Sequence, residues 1–224
     1  MSKAKFEIQS VIVLLFALVV ILAVLFQMQR ILPQPPKILQ HMPKDRRIAV
    51  VDSAYVHLPF RFLVHAPASD WMIEPIPHDT VLSIIQEQSL YSQISWLVMM
   101  RPQSDNDSFR TRIGVLRVGD YPVMEYAVEL LDDLLKQYEK DRRASVFQHV
   151  SPVSHTLPGS YFAVKFPQSD DLKVWIITCF KRGTLLYVIE TRTTDRAYPN
   201  WRAVISSLPG RFVPISDYNF LSGK

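Results

Sequence analysis

The stretch "LKVWIITCFKRGTLLYVIETR", residues 172–192, decides the fold. Its two arms, 172–180 and 184–192, are rich in β-branched and aromatic residues, and Lys181-Arg182-Gly183 between them has the composition of a tight turn. Apolar residues fill both alternate sets of positions in each arm. Both faces are therefore expected to be covered, which places the hairpin at the centre of a sheet.

Working outward, "SVFQHVSPV" (145–153) and "YFAVKF" (161–166) read as two strands feeding that hairpin. Before them, "DYPVMEYAVELLDDLLKQYEK" (120–140) reads as an amphipathic helix. Asp120 can cap it, Pro122 sits in its first turn, and Val123, Ala127, Leu130, Leu131, Leu134 and Tyr138 recur at steps of three and four. Its acids lead and its cations follow, which complements the helix dipole. "ISWLVMMR" (94–101) and "TRIGVLRV" (111–118) read as strands joined by a polar loop, and "HDTVLSIIQEQSLYSQ" (78–93) as a short helix before them. "FRFLVHAP" (60–67) and "WMIEPI" (71–76) read as an opening hairpin. After the central hairpin, Pro199 opens a second helix whose Trp201, Val204, Ile205 and Leu208 share a stripe, and Pro209 and Gly210 are expected to stop it.

This order of elements, with "SDWMIEP", "YAVELLDDLLKQY" and "LLYVIETRTTDRAYPNWRAVISSLPGRF" carrying the match, resembles the PsbP-like family over Phe60 to Val213. That family includes photosystem oxygen-evolving accessory proteins, a nuclear GTPase-release factor and DcrB-type bacterial envelope proteins. The resemblance implies an α+β fold, an antiparallel sheet flanked by helices. It also implies docking on a larger partner with no reaction of its own, and it supplies no catalytic motif to transfer.

At the other end of the chain, "VIVLLFALVVILAVLF" (11–26) has no charge, proline or glycine. Extended to residues 8–28 it reaches about 31 Å as a helix, the thickness of a hydrocarbon core. It reads as one N-terminal transmembrane helix, anchored by Val11, Leu14, Leu18, Ile21, Leu25 and Phe26 and contacting membrane lipid. A cleaved signal is the alternative, with Lys3 and Lys5 as its basic start, but "LFQMQRILP" lacks the small residues a peptidase needs. The flanking cations nearly balance, with a plain count mildly favouring a cytoplasmic domain, but several of those after the span lie about fifteen or more residues from it, so the tail is expected inside and the domain outside, on the periplasmic face of a cell inner membrane. The divisions are then a tail and anchor (1–30), a Pro-rich basic linker (31–47), the α+β domain (48–215) and a C-terminal tail (216–224). The linker, "PQPPKILQHMP" onward, is expected to be an extended stalk, with Lys44, Arg46 and Arg47 as candidate contacts to anionic headgroups.

Net charge is +4, but residues 48–224 carry eighteen Lys/Arg against nineteen Asp/Glu, so the domain itself is near neutral. With no basic groove interleaved with aromatics, nucleic acid is not an expected partner. The single cysteine, Cys179, cannot form an internal disulfide and lies mid-strand with no activating base, a core thiol. His149 and His155 are the candidate pair for a hydrolase-type alternative, although six-residue spacing fits no short metal-ligand pattern. His57 and His65 offer no better. Asp105, Asn106 and Asp107 lack the glycine and distal glutamate of a calcium loop, and Gly114 and Gly119 lack a following Lys-Ser/Thr. No catalytic residue, metal, cofactor or small-molecule substrate is identifiable. The expected function is a membrane-anchored, non-enzymatic assembly module with a protein partner; ligand sensing through a partner is the remaining alternative. Arg196, Tyr198, Trp201 and Arg202 are the candidate interface, because exposed aromatics beside arginine suit an anchor point.

Overall fold

The structure, a computed structural model, describes residues 15–24, 27, 36–43, 45–77, 89–104, 108–137, 145–168 and 171–215. The chain divides into two units, His41–Pro214 and a second made of Met1–Gln40 with Ile215–Lys224.

In the second unit residues 15–24 are helical. These ten residues rise about 15 Å, half the hydrocarbon thickness. No helix among the described residues is long and apolar enough to cross a membrane. The expected single-pass inner-membrane location is therefore corrected: the described helix is too short to span, and the periplasmic placement that depended on it falls too. Leu18 and Ile21 are exposed on this helix, while Val11, Leu14, Leu25 and Phe26 lie outside the described residues. Within the expected stalk, Lys37–His41 forms a 3-10 turn instead of extended polyproline, closed at its start by the Leu39 amide donating to the Pro36 carbonyl at 2.9 Å.

The larger unit is built on two antiparallel sheets. Four strands, β1 (Ile48–Val51), β2 (Ala54–His57), β3 (Phe62–His65) and β11 (Phe212–Pro214), form the smaller in the order β1-β2-β3-β11. The larger runs β4-β5-β6-β10-β9-β8-β7, from β4 (Trp71–Pro75), β5 (Ser95–Pro102), β6 (Phe109–Arg117), β7 (Ser145–Val153), β8 (Gly159–Gln168), β9 (Asp171–Arg182) and β10 (Leu185–Thr194). The β9–β10 hairpin sits at the centre of this sheet, and Gly183 at φ +55° makes its two-residue turn, a conformation glycine adopts without steric cost.

One expected pairing is different. β3 and β4 do not form a hairpin: β3 pairs β2 and β11, whereas β4 pairs β5 in the other sheet. Leu63 and Val56 are buried on the face of the small sheet opposite Phe62 and Val64, and β2 and β11 pair with the two edges of β3, so it is an inner strand of the small sheet and not the outer strand of an opening ribbon. The β1–β2 hairpin, turning through Asp52 and Ser53 at φ 46° and 57°, supplies one of them.

Side chains on the large sheet alternate between two cores. On one face Leu116, Ile177, Cys179, Leu186 and Val188 meet the long helix, Val123–Gln137, through Val123, Ala127, Leu130 and Leu134. On the other, Ile113, Val115, Phe180, Tyr187 and Ile189 meet the small sheet and the terminal helix, Tyr198–Arg211. That helix runs on through Pro209 to Arg211. Pro209 brings no N–H to the helix ladder, and the helix ends within three residues of it, where the Phe212 amide donates to the Pro209 carbonyl. The helix expected at 78–88 lies outside the described residues, and Leu90–Gln93 is a 3-10 turn capped by Ser89, whose Oγ accepts the Ser92 amide at 3.3 Å.

Candidate interaction face

On β10, Leu186 and Val188 point toward the long helix, so Glu190 and Arg192 occupy the same face further along the strand. Register sets Glu190 opposite Arg112 on β6 and opposite Ile177 on β9, and sets Arg192 opposite Arg110 and Trp175. Glu190 is fully buried, with no exposed side-chain surface. A carboxylate in that position must be paired.

Every lone-pair direction of Glu190 is used. Oε1 accepts from Arg112 Nε at 2.7 Å and Arg192 Nε at 2.5 Å, and Oε2 accepts from Arg112 Nη2 at 3.2 Å and from the Tyr91 hydroxyl. The Tyr91 oxygen in turn accepts from Arg112 Nη2 at 2.6 Å and Arg192 Nη2 at 2.9 Å. Burial pushes the Glu190 carboxyl upward, but the Arg112 and Arg192 guanidiniums outweigh it and hold the group below its usual range. Burial, with the neighbouring Glu190 charge, pushes the Tyr91 phenol up to about 12, so it stays protonated and remains a donor to the carboxylate.

Each guanidinium also lies on an indole. Arg112 sits 3.7 Å over Trp96 and Arg192 sits 3.8 Å over Trp175. Trp96 reaches its arginine by crossing Gly114, where an added Cβ would fall 2.9 Å from the ring and 2.4 Å from Ile94. Tyr91 is fixed from the helix side by Asp133, which accepts its amide at 3.0 Å, and its ring packs edge-on to Trp96 and face-on to Trp175. Two hollows flank this cluster. One, about 520 Å³, is lined by Ser108, Arg110, Lys173, Trp175, Arg192 and Thr194; the other, about 640 Å³, by Tyr91, Trp96, Arg112, Asp133 and Lys136.

The groups singled out for chemistry are placed in structure. Cys179 is wholly buried on β9, and burial pushes its thiol up to about 12, leaving no thiolate near neutral pH. His155 Nε2 donates to the Phe212 carbonyl at 2.9 Å, its Nδ1 accepts the Leu157 amide at 3.2 Å, and its ring lies 4.3 Å from that of Phe180. His149 is exposed on β7, and no contact among the described residues joins it to His155. His57 is buried, stacked on Phe60 and Phe62, and His65 is exposed. Asp105–Asp107 and Lys44 lie outside the described residues; Arg46 and Arg47 are exposed. Among the described residues no group of three or more His, Cys, Asp or Glu is placed to hold a metal ion.

At the candidate interface on the terminal helix, Trp201 turns inward, 4.7 Å from Phe109 and edge-on to Trp71. Tyr198 is half-buried against Phe147, while Arg196 and Arg202 remain exposed.

No protein-family model matches the chain, and no curated protein matches it. Among solved structures it is similar to cyanobacterial PsbP (CyanoP) from Synechocystis sp. PCC 6803, with a TM-score of 0.53 at 6% identity over 72% of this chain and 91% of that one. It is also similar to LpqN, involved in cell envelope biogenesis of Mycobacterium tuberculosis, with a TM-score of 0.44 at 7% identity over 69% and 83% of the two chains, a likeness too loose to argue from. At 6% identity the first likeness is one of backbone architecture. On that architecture, two antiparallel sheets packed with few helices, the chain has a PsbP-like fold.

Proposed function

We propose that this chain is a non-enzymatic interaction module that docks on a larger protein assembly through the helix-side face of its seven-stranded sheet. One observation carries the reading: two arginines, each stacked on a tryptophan and both clamped by buried Glu190, stand on a sheet face beside two hollows. Stacking and ion pairing remove the rotamer freedom that a long cation otherwise loses on binding, so such side chains bind at low entropic cost. Arginine and tryptophan are also the residue types that most often dominate interface energetics.

The chemistry of the candidate reactive groups supports the same reading. Glu190 is saturated by donors, Cys179 is a buried neutral thiol, and both nitrogens of His155 hold the backbone. Each therefore acts as a structural tie. The fold shared with cyanobacterial PsbP is compatible with this role.

Affinity capture of the tagged full-length chain tests the proposal. A partner recovered in near-equal amount, and lost when Arg112 and Arg192 are both changed to methionine alongside Glu190→Leu, is the expected result. Recovery of the chain alone, or of a partner indifferent to the triple substitution, contradicts it.

A further inference from the structure

We infer that the hollow bounded by Arg110, Lys173 and Arg192 binds the carboxylates of an acidic, extended segment of the partner protein. This rests on the docking reading above and goes on to name the occupant.

The charge distribution points there first. Four cations, Arg110, Arg112, Arg192 and Lys173, share this face of β6, β10 and β9; among the described residues Glu190 is set between two of them and Asp171 lies at the edge, two positions before Lys173 on β9. Glu190 is spent on Arg112 and Arg192, so with Asp171 counted the described residues of this face carry four cations against two carboxylates, a surplus of two positive charges on a domain that is otherwise near neutral. Register places Arg110 directly opposite Arg192. Like charges in that relation destabilise a sheet unless an anion lies between them. Among the described residues neither Arg110 nor Lys173, both exposed, has an ion-pair partner. The nearby acids are engaged: Asp195 pairs with Lys165 at 2.6 Å, and Asp171, the first residue of β9, accepts the Leu172 amide at 2.7 Å and bonds to the Thr194 hydroxyl.

Geometry then selects the ligand. The cations stand on three adjacent strands, each about 4.8 Å from the next, so the free donors are spread over roughly 5 to 10 Å. Carboxylates two residues apart on an extended chain are about 6.6 Å apart and reach neighbouring donors together. A nucleic acid fits less well, because its bases bind by stacking on open aromatic faces. Here Trp175 is covered by Arg192 and abutted edge-on by Phe166, and Trp96 is covered by Arg112. Arg192 gives its Nε to Glu190 and its Nη2 to Tyr91, which leaves Nη1 for a carboxylate.

The test is fluorescence anisotropy on the full-length chain with a labelled ten-residue peptide of alternating Glu and Ser. A matched peptide with Gln for Glu, single-stranded oligonucleotide and inorganic phosphate serve as competitors. The Glu peptide is expected to bind, more weakly as salt rises, and the Gln peptide not to compete. Arg110→Gln with Lys173→Gln should weaken binding about tenfold or more, as loss of charge-assisted contacts does, with the urea midpoint unchanged because both side chains are exposed. Binding within twofold of the parent overturns the inference, as does displacement by phosphate or oligonucleotide at lower concentration than by the Glu peptide. If the double variant still captures the partner at parental stoichiometry, this inference fails and the docking reading stands. If the parent captures no partner, the docking reading fails instead.

Discussion

Glu190→Gln should lower the unfolding free energy by about 3 kcal/mol, the cost of breaking a buried ion pair by removing one partner. Glutamine keeps the shape of glutamate but turns one acceptor oxygen into a donor nitrogen, which at either position faces at least one guanidinium N–H. The two guanidiniums then share a buried site with no counter-charge. The expected loss sits at the low end of the usual 3 to 5 kcal/mol because both arginines keep about a quarter of their surface in water, 26% and 23%. Urea unfolding at neutral pH, with the slope checked for constancy, measures it. A loss under about 1 kcal/mol contradicts the assigned role, given that range. Replacing all three charges together, Glu190→Leu with Arg112→Met and Arg192→Met, should recover most of the stability, since a well-packed apolar substitute avoids the desolvation cost of the ions.

The pH dependence has a definite sign. Glu190 is held below its ordinary value of 4.5 in the folded chain. A group with a depressed folded-state pKa contributes stability that is complete above its unfolded value and lost as pH falls through the folded one. The difference between parent and Glu190→Gln should therefore be full at neutral pH and shrink only below about pH 4.5.

Phe212→Ala should destabilise by about 3 to 5 kcal/mol, the range for deleting a fully enclosed aromatic side chain. Phe212 is 1% exposed and lies between the sheets: its ring is 5.3 Å from Phe62 of the small sheet, and 5.5 Å and 5.0 Å from Phe180 and Tyr187 of the large one. His155 pins its carbonyl, and the Tyr187 hydroxyl donates to the Phe60 carbonyl at 2.8 Å, so the walls cannot easily close on the space left behind. Residual cavity is what sets such losses. Thermal and urea unfolding report the effect; a change near zero means that the two sheets do not share this core. Phe212 and Glu190 lie on opposite faces of the large sheet with no common partner, so their effects should add to within about 0.5 kcal/mol.

The elements with strong periodicity were legible in the sequence. The 172–192 hairpin, the helix expected at 120–140 and the strands of β5 to β8 all announce themselves through local patterning; the hairpin and strands stand where that patterning implies, and the helix runs over Val123–Gln137, with Tyr138 and the rest of its expected end outside the described residues. What alternation does not encode is which strand a strand will pair with. Residues 60–67 and 71–76 are both β-type and adjacent in the chain, yet one belongs to each sheet. The turn at Asp52-Ser53 was equally hidden, because its positive φ values are carried by residues other than glycine.

The interaction face was not legible, although one signal was present. Tyr91, Trp96, Arg112, Trp175, Glu190 and Arg192 come from the 3-10 turn at Leu90–Gln93, four strands and about a hundred residues of chain, and only the sheet register brings them together. Glu190 and Arg192 interrupt the apolar arm of a strand read as central, and a charge in a central strand requires a partner. Arg110 and Arg112 interrupt "FRTRIGVLR" at the same alternate spacing. Matching those two interruptions across strands points to the site. The arginines and aromatics of residues 196–202, conspicuous in the sequence, divide instead between core and solvent, with Trp201 in the core.

Site-specific photo-cross-linking in the cells that make the protein tests the docking face most directly. A photoreactive residue at position 136, on the long helix beside the Trp96–Arg112 hollow, is compared with one at position 202 on the exposed side of the terminal helix. A discrete adduct of one mass from position 136, absent from position 202, is the predicted result. An adduct from position 202 alone, or from neither, contradicts it.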